Sequence, residues 1–363
     1  MKTGFFGGAF DPFHNEHRHI IECAKDEAKL DRVVVYTSFL PPHKSCTADF
    51  GDRAATVGAG IDGLTYAISD TLEKDRAKIN PTCEILPILK RKYPSDEYFF
   101  IIGGDSMLNF SRWIRPDLIC GEAKIVVAAR VDTDGLAPAE DYARKNYGAE
   151  IINLDFVGKD ISSSEIKAKA EFGDPIDGVS DAVAKIIEDR KMYRNFSPMI
   201  EKLRSEIPDK TFRHVKRTVF YALKLNTKLG LDFDKVFTAA LLHDCAKHMH
   251  RTMDGVPSAV EHQFLGAEVA RDVYGVDDAE ILSAINYHTT GKPAMTNLEK
   301  LIFCADMLEE GRSYPGVEEL RASIESDFQK GFVDCVNGSL KKLIEDGAPF
   351  HPLTKACAEY YNK

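Results

Sequence analysis

Short strand-forming runs fill the first half of this chain and are missing beyond about residue 200, and that change limits the fold more than any single motif. TGFFG (3–7), RVVVYTS (32–38), YFFIIGG (98–104), KIVVAAR (124–130) and AEIINLDF (149–156) are rich in β-branched and aromatic residues. Polar, helix-compatible stretches separate them, which is the pattern of βα units on a parallel sheet. Later the period becomes helical. Val215, Val219, Ala222, Leu225 and Leu229 share one stripe that Gly230 ends, and Phe233, Val236, Phe237, Ala240, Leu241 and Asp244 share another. At 363 residues two cores are expected, with the seam near Asn195-Phe196-Ser197-Pro198, after the amphipathic stretch DAVAKIIEDRKMY. This gives domains of 1–195 and 196–363, with no internal repeat.

The first run leads directly into Gly7-Gly8-Ala9-Phe10-Asp11-Pro12-Phe13-His14-Asn15-Glu16-His17. Paired glycines let a backbone approach a bulky anion, and His14 and His17 share a face at the start of the next helix. A helix N-terminus there offers free N–H groups to a phosphate. Ser162 and Glu165 have capping-box spacing, which puts Ser163 and Ser164 in the first turn of a second such helix.

The string resembles the (G)GxFDPxHxGH motif of the nicotinate-nucleotide adenylyltransferases. The resemblance extends over roughly residues 1–194. Pro41-Pro42-His43-Lys44 is similar to that family's PPHK loop, and Gly103-Gly104-Asp105-Ser106-Met107-Leu108 with Phe110 and Trp113 to its G-x-D-x-L…F…W segment. Ile161 to Lys167 is similar to its ISSTxIR signature. The resemblance implies adenylyl transfer from ATP to nicotinate mononucleotide, with Mg²⁺ on the leaving pyrophosphate. His14, His17, Lys44 and Lys167 would be the charge partners, and Gly7, Gly8, Phe10, Asp11, Gly103, Asp105, Ser162, Ser163 and Ser164 would hold nucleotide. Trp113 would stack on the pyridine ring.

Three positions depart from the family pattern. Glu16 replaces a glycine, Lys167 replaces an arginine and loses its bidentate fork, and Asn80-Pro81-Thr82-Cys83-Glu84-Ile85 stands where the family has S-Y-T-x-D-T.

The second half repeatedly sets a histidine or aspartate on or beside an apolar stripe: His214, His243, Asp244, His262, His288 and Asp306. Buried carboxylates call for a cation, and two of them arriving with four histidines on separate helices call for a metal. His248 and His250, which follow in LLHDCAKHMH, are read as bystanders.

The order His214…His243-Asp244…Asp306 resembles the HD phosphohydrolase superfamily. Leu241-Leu242-His243-Asp244, Lys247, Glu261-His262, Tyr287-His288-Thr289-Thr290-Gly291 and Ala305-Asp306-Met307-Leu308-Glu309-Glu310-Gly311-Arg312 are similar to the HD-type symmetrical diadenosine tetraphosphatases of bacteria. That resemblance implies two iron ions, with manganese or another first-row divalent metal as chemical alternatives. Asp244 would bridge; His214, His243 and Asp306 would complete one site, and His262 and His288 the other. Lys247, Lys292 and Arg312 would neutralise the polyphosphate as diadenosine tetraphosphate is split into two ADP.

The expected architecture is therefore α/β: a Rossmann-like parallel-sheet nucleotidyltransferase domain followed by an all-α HD-domain helical bundle. A formal charge of −10 argues against a nucleic-acid-binding surface. Eight scattered cysteines without a CxxC pair, no signal-peptide pattern and no long apolar run point to a cytoplasmic protein with no membrane partner. The sequence leaves open the oligomeric state, other nucleotide substrates for the second half, and a first half that binds ATP as a regulatory sensor or uses a different acceptor.

Overall fold

The computed structural model describes residues 1–41, 45–76, 78, 80–129, 135–156, 158 and 161–363. The chain forms two compact units, residues 1–193 and 194–363.

The first unit is built on a six-stranded, wholly parallel sheet in the order β3-β2-β1-β4-β5-β6. The strands are β1 (Lys2–Gly8), β2 (Arg32–Thr37), β3 (Ala67–Asp70), β4 (Glu97–Gly103), β5 (Lys124–Ala128) and β6 (Ile151–Asn153). Helices α1 (Asn15–Glu27), α2 (Phe50–Gly60), α3 (Thr82–Lys92), α4 (Gly104–Leu108), α5 (Pro116–Glu122), α6 (Leu136–Tyr147), α7 (Ser163–Phe172) and α8 (Asp181–Asp189) complete it. Both sheet faces are covered, so the strands are apolar on successive residues rather than alternately. Phe6, Val33, Val35, Phe99, Ile101 and Val126 pack on one side, and Phe5, Val34, Phe100, Ile102, Ile125 and Val127 on the other.

Five of the six strands coincide with runs expected from the sequence; β3 does not. Its residues, Ala67-Ile68-Ser69-Asp70, lie on the sheet edge with Ile68 exposed, so burial selects too few apolar residues to mark it. The order reverses between β1 and β4. In a doubly wound sheet that point opens a crevice beyond the carboxyl ends of the strands, where ligands bind. Gly8 and Gly103 end the two strands that flank it.

The second unit contains α9 (Ser197–Glu206), α10 (Asp209–Leu229), α11 (Phe233–Leu242), α12 (Glu261–Asp272), α13 (Ala279–Tyr287), α14 (Asn297–Leu308), α15 (Val317–Ser326), α16 (Phe328–Glu345) and α17 (Pro352–Tyr361). The stripe of α10 is buried, and its helix stops at Gly230 in the left-handed conformation that glycine adopts freely. Helix α11 packs against α10, α13 and α14, and α13 also packs against α12. Among the described residues no helix is long and apolar enough to cross a membrane.

Candidate functional sites

At the switch point of the first unit, His14 caps α1 and its ring stacks on that of His17, with centroids 3.7 Å apart. The His14 backbone N–H donates to His17 Nδ1 at 3.2 Å, which leaves the His17 proton on Nε2. His14 Nδ1 is buried without a partner among the described residues, and burial lowers its pKa to about 4. The imidazole is therefore neutral at pH 7. At the start of α7 the Ser162 side chain accepts from Glu165 N at 3.1 Å, leaving the Ser163 and Ser164 amides at the open end of the helix. The first N–H of α1 is instead given to the Gly178 carbonyl.

Several residues named from the sequence occupy unexpected surroundings. The space vacated at Gly7 is filled by the Tyr36 ring, and at Gly8 by the Phe10 ring, 2.9 Å from where a Cβ would stand. The glycine pair thus accommodates two aromatic side chains of the protein itself. Asp11 is buried and accepts from Thr47 N, Ala48 N and the Tyr193 hydroxyl. Lys167, also buried, sits 3.6 Å from Asp11 and donates to Thr47 Oγ1. Its amine lies within the wall beside Asp11, at the position where the resemblance makes it a charge partner of the phosphates. Trp113 is half-buried against Phe110 and Phe100, and Asp105 lies exposed in the first turn of α4 beyond Gly103. Lys44, with Pro42 and His43 of its loop, lies outside the described residues.

In the second unit the six metal-type residues come together. His214, His243 and Asp306 form one group and Asp244, His262 and His288 another, and within each group the ligand atoms lie within 4.8 Å of one another. His214 Nε2 is 2.9 Å from Asp306 Oδ1 and 3.2 Å from His243 Nε2. His262 Nε2 is 3.2 Å from His288 Nε2. Asp244 belongs to the second group and also faces the first. Its Oδ2 lies 3.7 Å from both His214 and His243, and its Oδ1 lies 3.4 Å from His262 and 3.5 Å from His288.

The orientation of these rings follows from where the helices end. The last four carbonyls of a helix have no intrahelical partner. His243 follows α11 and its Nδ1 bonds the Ala240 carbonyl at 2.7 Å; His288 follows α13 and its Nδ1 bonds the Ile285 carbonyl at 2.8 Å. Each helix end thus fixes one imidazole tautomer, with the Nε2 lone pair turned inward. His214 reaches the same state through Glu309, whose buried carboxylate lies 3.1 Å from its Nδ1.

Inward lone pairs in close pairs, beside two carboxylates, make a donor set that fits a divalent first-row cation. Burial would raise the Asp244 and Asp306 carboxyls. His243 and Lys247 around Asp244, and His214 and Arg312 around Asp306, hold both well below the usual carboxylate range. Burial lowers His243 to about 4 and, together with the nearby His288 and Lys247, His262 to about 3. His214 differs. Burial would lower it, but Asp306 and Glu309 raise it above its ordinary value.

Lys247 Nζ lies 3.2 Å from Asp244, and Arg312 Nη2 lies 2.6 Å from Asp306. Lys292 is instead paired with buried Glu299 at 3.0 Å. His248 and His250 are exposed and belong to neither group. Glu309 acts through another side chain, and the sequence signal that points to it is its place in the Ala305–Arg312 string.

A cytidylyltransferase-like family profile matches residues 5–169, and an HD domain profile matches residues 211–311. A Rubrobacter xylanophilus protein named "Probable nicotinate-nucleotide adenylyltransferase" is 34% identical over 198 residues, which span 53% of this chain and 92% of the relative. A Geobacter sulfurreducens protein of the same name is 35% identical over 213 residues, spanning 53% and 98%. A solved Clostridium acetobutylicum structure, a "predicted HD superfamily hydrolase involved in NAD metabolism", is 29% identical with a TM-score of 0.43, over 46% of this chain and 97% of that one.

Proposed function

We propose, on the premise that the chain belongs to the nicotinate-nucleotide adenylyltransferase family, that its first unit transfers the adenylyl group of ATP to nicotinate mononucleotide. The observation that carries this reading is that the Ser162-capped helix, through Ser163 Oγ and the Pro12 carbonyl 3.4 Å away, lies beside the segment leading into the His14-His17 helix start, in a unit whose sheet order reverses between β1 and β4. The acceptor phosphate attacks the α-phosphorus and pyrophosphate leaves, so the protein's work is to align two anions and neutralise charge in the transition state. His17 Nε2–H and the Ser163 and Ser164 amides are the donors turned to that task. Neutral His14 supplies a further N–H without repelling a proton or a metal ion, and Mg²⁺ enters on the ATP phosphates. Trp113, at the margin of its aromatic cluster, offers a face to the pyridine ring.

For the second unit the proposal is metal-dependent hydrolysis of dinucleoside polyphosphates, cleaving diadenosine tetraphosphate symmetrically into two ADP. The shared carboxylate of Asp244 carries it, because one residue facing two histidine groups is the arrangement a pair of ions needs. A bound pair, iron by resemblance, would acidify water and offset phosphate charge. His214, His243 and Asp306 would hold one ion, His262 and His288 the other, and Asp244 both. Lys247 and Arg312, at the edge of the cluster, would bind the polyphosphate. Among the described residues none of the eight cysteines is joined in a disulfide, which accords with a cytoplasmic setting.

The whole 363-residue chain is to be assayed in two mixtures. ATP, nicotinate mononucleotide and Mg²⁺ should yield pyrophosphate and the dinucleotide. Diadenosine tetraphosphate with Fe²⁺ or Mn²⁺ should yield ADP alone. ATP plus AMP in the second mixture would refute symmetrical cleavage, and ATP binding without pyrophosphate release in the first would mark a nucleotide sensor.

A further inference from the structure

Two buried charges in the first unit have no place in the reaction described above. Arg53, on α2, is 1% exposed, and among the described residues no carboxylate lies within ion-pair distance of it. A cation taken out of water this far must be solvated by the protein. Four backbone carbonyls do this. Nη1 donates to Ala9 at 2.6 Å and to Ser38 at 2.8 Å, Nη2 to Phe39 at 2.9 Å and Nε to Ala48 at 3.3 Å. Glu73, 2% exposed, accepts the Phe39 N–H at 3.0 Å and the Asn80 amide at 3.2 Å, both on Oε2. The Phe39 residue is therefore held at its carbonyl by a cation and at its N–H by a carboxylate.

The tethered segments are those that build the site. Ala9 lies between Gly8 and Asp11, Ser38 and Phe39 follow β2, and Thr47 and Ala48 supply the two N–H groups that bond Asp11. Asn80 begins the segment that departs most from the family pattern, and Arg76 Nε grips its Oδ1 at 2.7 Å.

We propose that Arg53 and Glu73 are positioning residues for adenylyl transfer, a charged clamp that sets Ala9, Phe39 and Ala48 relative to one another and ties them through Asn80 to the 80–85 segment. This rests on the adenylyltransferase reading of the first unit. A lysine has one ammonium and cannot span four carbonyls, so Arg53→Lys breaks the clamp while keeping the charge. Glu73→Gln keeps an acceptor oxygen where both bonds converge, and Glu73→Leu removes it.

The test uses the full chain and two readouts: turnover of ATP with nicotinate mononucleotide, and amide exchange of a peptide covering residues 36–41. Arg53→Lys and Glu73→Leu should lower kcat/KM for ATP by about 100-fold, as displacement of a reacting group by about 1 Å does. Both should speed exchange at Phe39. Glu73→Gln should stay within about threefold of the unsubstituted protein in turnover and keep Phe39 protected. The clamp is refuted if Arg53→Lys leaves turnover and protection unchanged, or if Glu73→Gln is as impaired as Glu73→Leu. An unsubstituted protein without turnover would overturn the adenylyltransferase reading, and the exchange comparison would still decide the clamp.

Discussion

Glu309 Oε1 lies 3.1 Å from His214 Nδ1, and this contact settles which imidazole nitrogen faces the cluster of histidines and aspartates. The carboxylate is itself fixed by Arg217 and by the Gly311 N–H. Burial would raise its pKa, but Arg217 and His214 hold it at about 2, so it stays ionised throughout the working range. Glu309→Ala should weaken metal binding by about 10–100-fold, the usual effect of losing an outer-sphere carboxylate. Titration of metal-free protein with Mn²⁺ measures this directly, and unchanged affinity would remove Glu309 from the site.

Asp244 offers a stronger test because it serves both groups. Asp244→Asn should abolish retention of both ions together with polyphosphate hydrolysis. His288→Ala should weaken only one ion. Pyrophosphate release by the first unit should continue in both variants. Elemental analysis of protein purified without chelator checks the metal, and an Asp244→Asn protein that holds metal at the unsubstituted stoichiometry would refute the bridging assignment.

How far these sites can be read from the sequence depends on where each residue's partner lies. His243 and His288 are legible because helical spacing places them after apolar stripes, and the carbonyls that orient them are three residues back. Gly8 and Gly103 are legible because a pair of glycines closes each of the two strand-forming runs. Arg53, Glu73 and Glu309 are not. Arg53 reaches back 44 residues to Ala9, Glu73 reaches 34 to Phe39 and Glu309 reaches 95 to His214, so no local period announces them. The surroundings of Lys167 are hidden from the sequence for a related reason. Its motif position carries the resemblance to a phosphate partner, while its contact with Asp11 spans 156 residues and leaves no local pattern. The edge strand β3 lacks the apolar pattern that would have marked it.

Gly7 tests the aromatic packing beneath the first site. A methyl group there would overlap the buried ring of Tyr36, the β2 residue directly opposite Gly7. Gly7→Ala should therefore destabilise the first unit by about 1–3 kcal/mol, the usual range for overpacking. Tyr36→Leu in the same chain should recover part of that loss, so the double variant should be less destabilised than the sum of the singles. Strict additivity in urea denaturation would show that the two residues do not compete for this space.

His14 gives the first unit a pH dependence whose sign follows from burial. Its pKa is about 4 in the folded chain, against an ordinary 6.5. Between those values the unfolded chain binds a proton that the folded chain does not, so stability rises with pH across the window. Above pH 6.5 both states are neutral and the residue adds no slope. As pH falls from 6.5 toward 4 the unfolded state gains steadily, and the penalty is complete below 4 at about 3 kcal/mol. His14→Asn removes the titration while keeping a residue that caps helices well. Trp113 is the only tryptophan in the chain and lies in this unit, so its fluorescence reports the relevant unfolding. Denaturation between pH 7 and pH 4.5 should show the native protein losing stability faster than His14→Asn as pH drops, and parallel curves would show that His14 ionises as freely folded as unfolded.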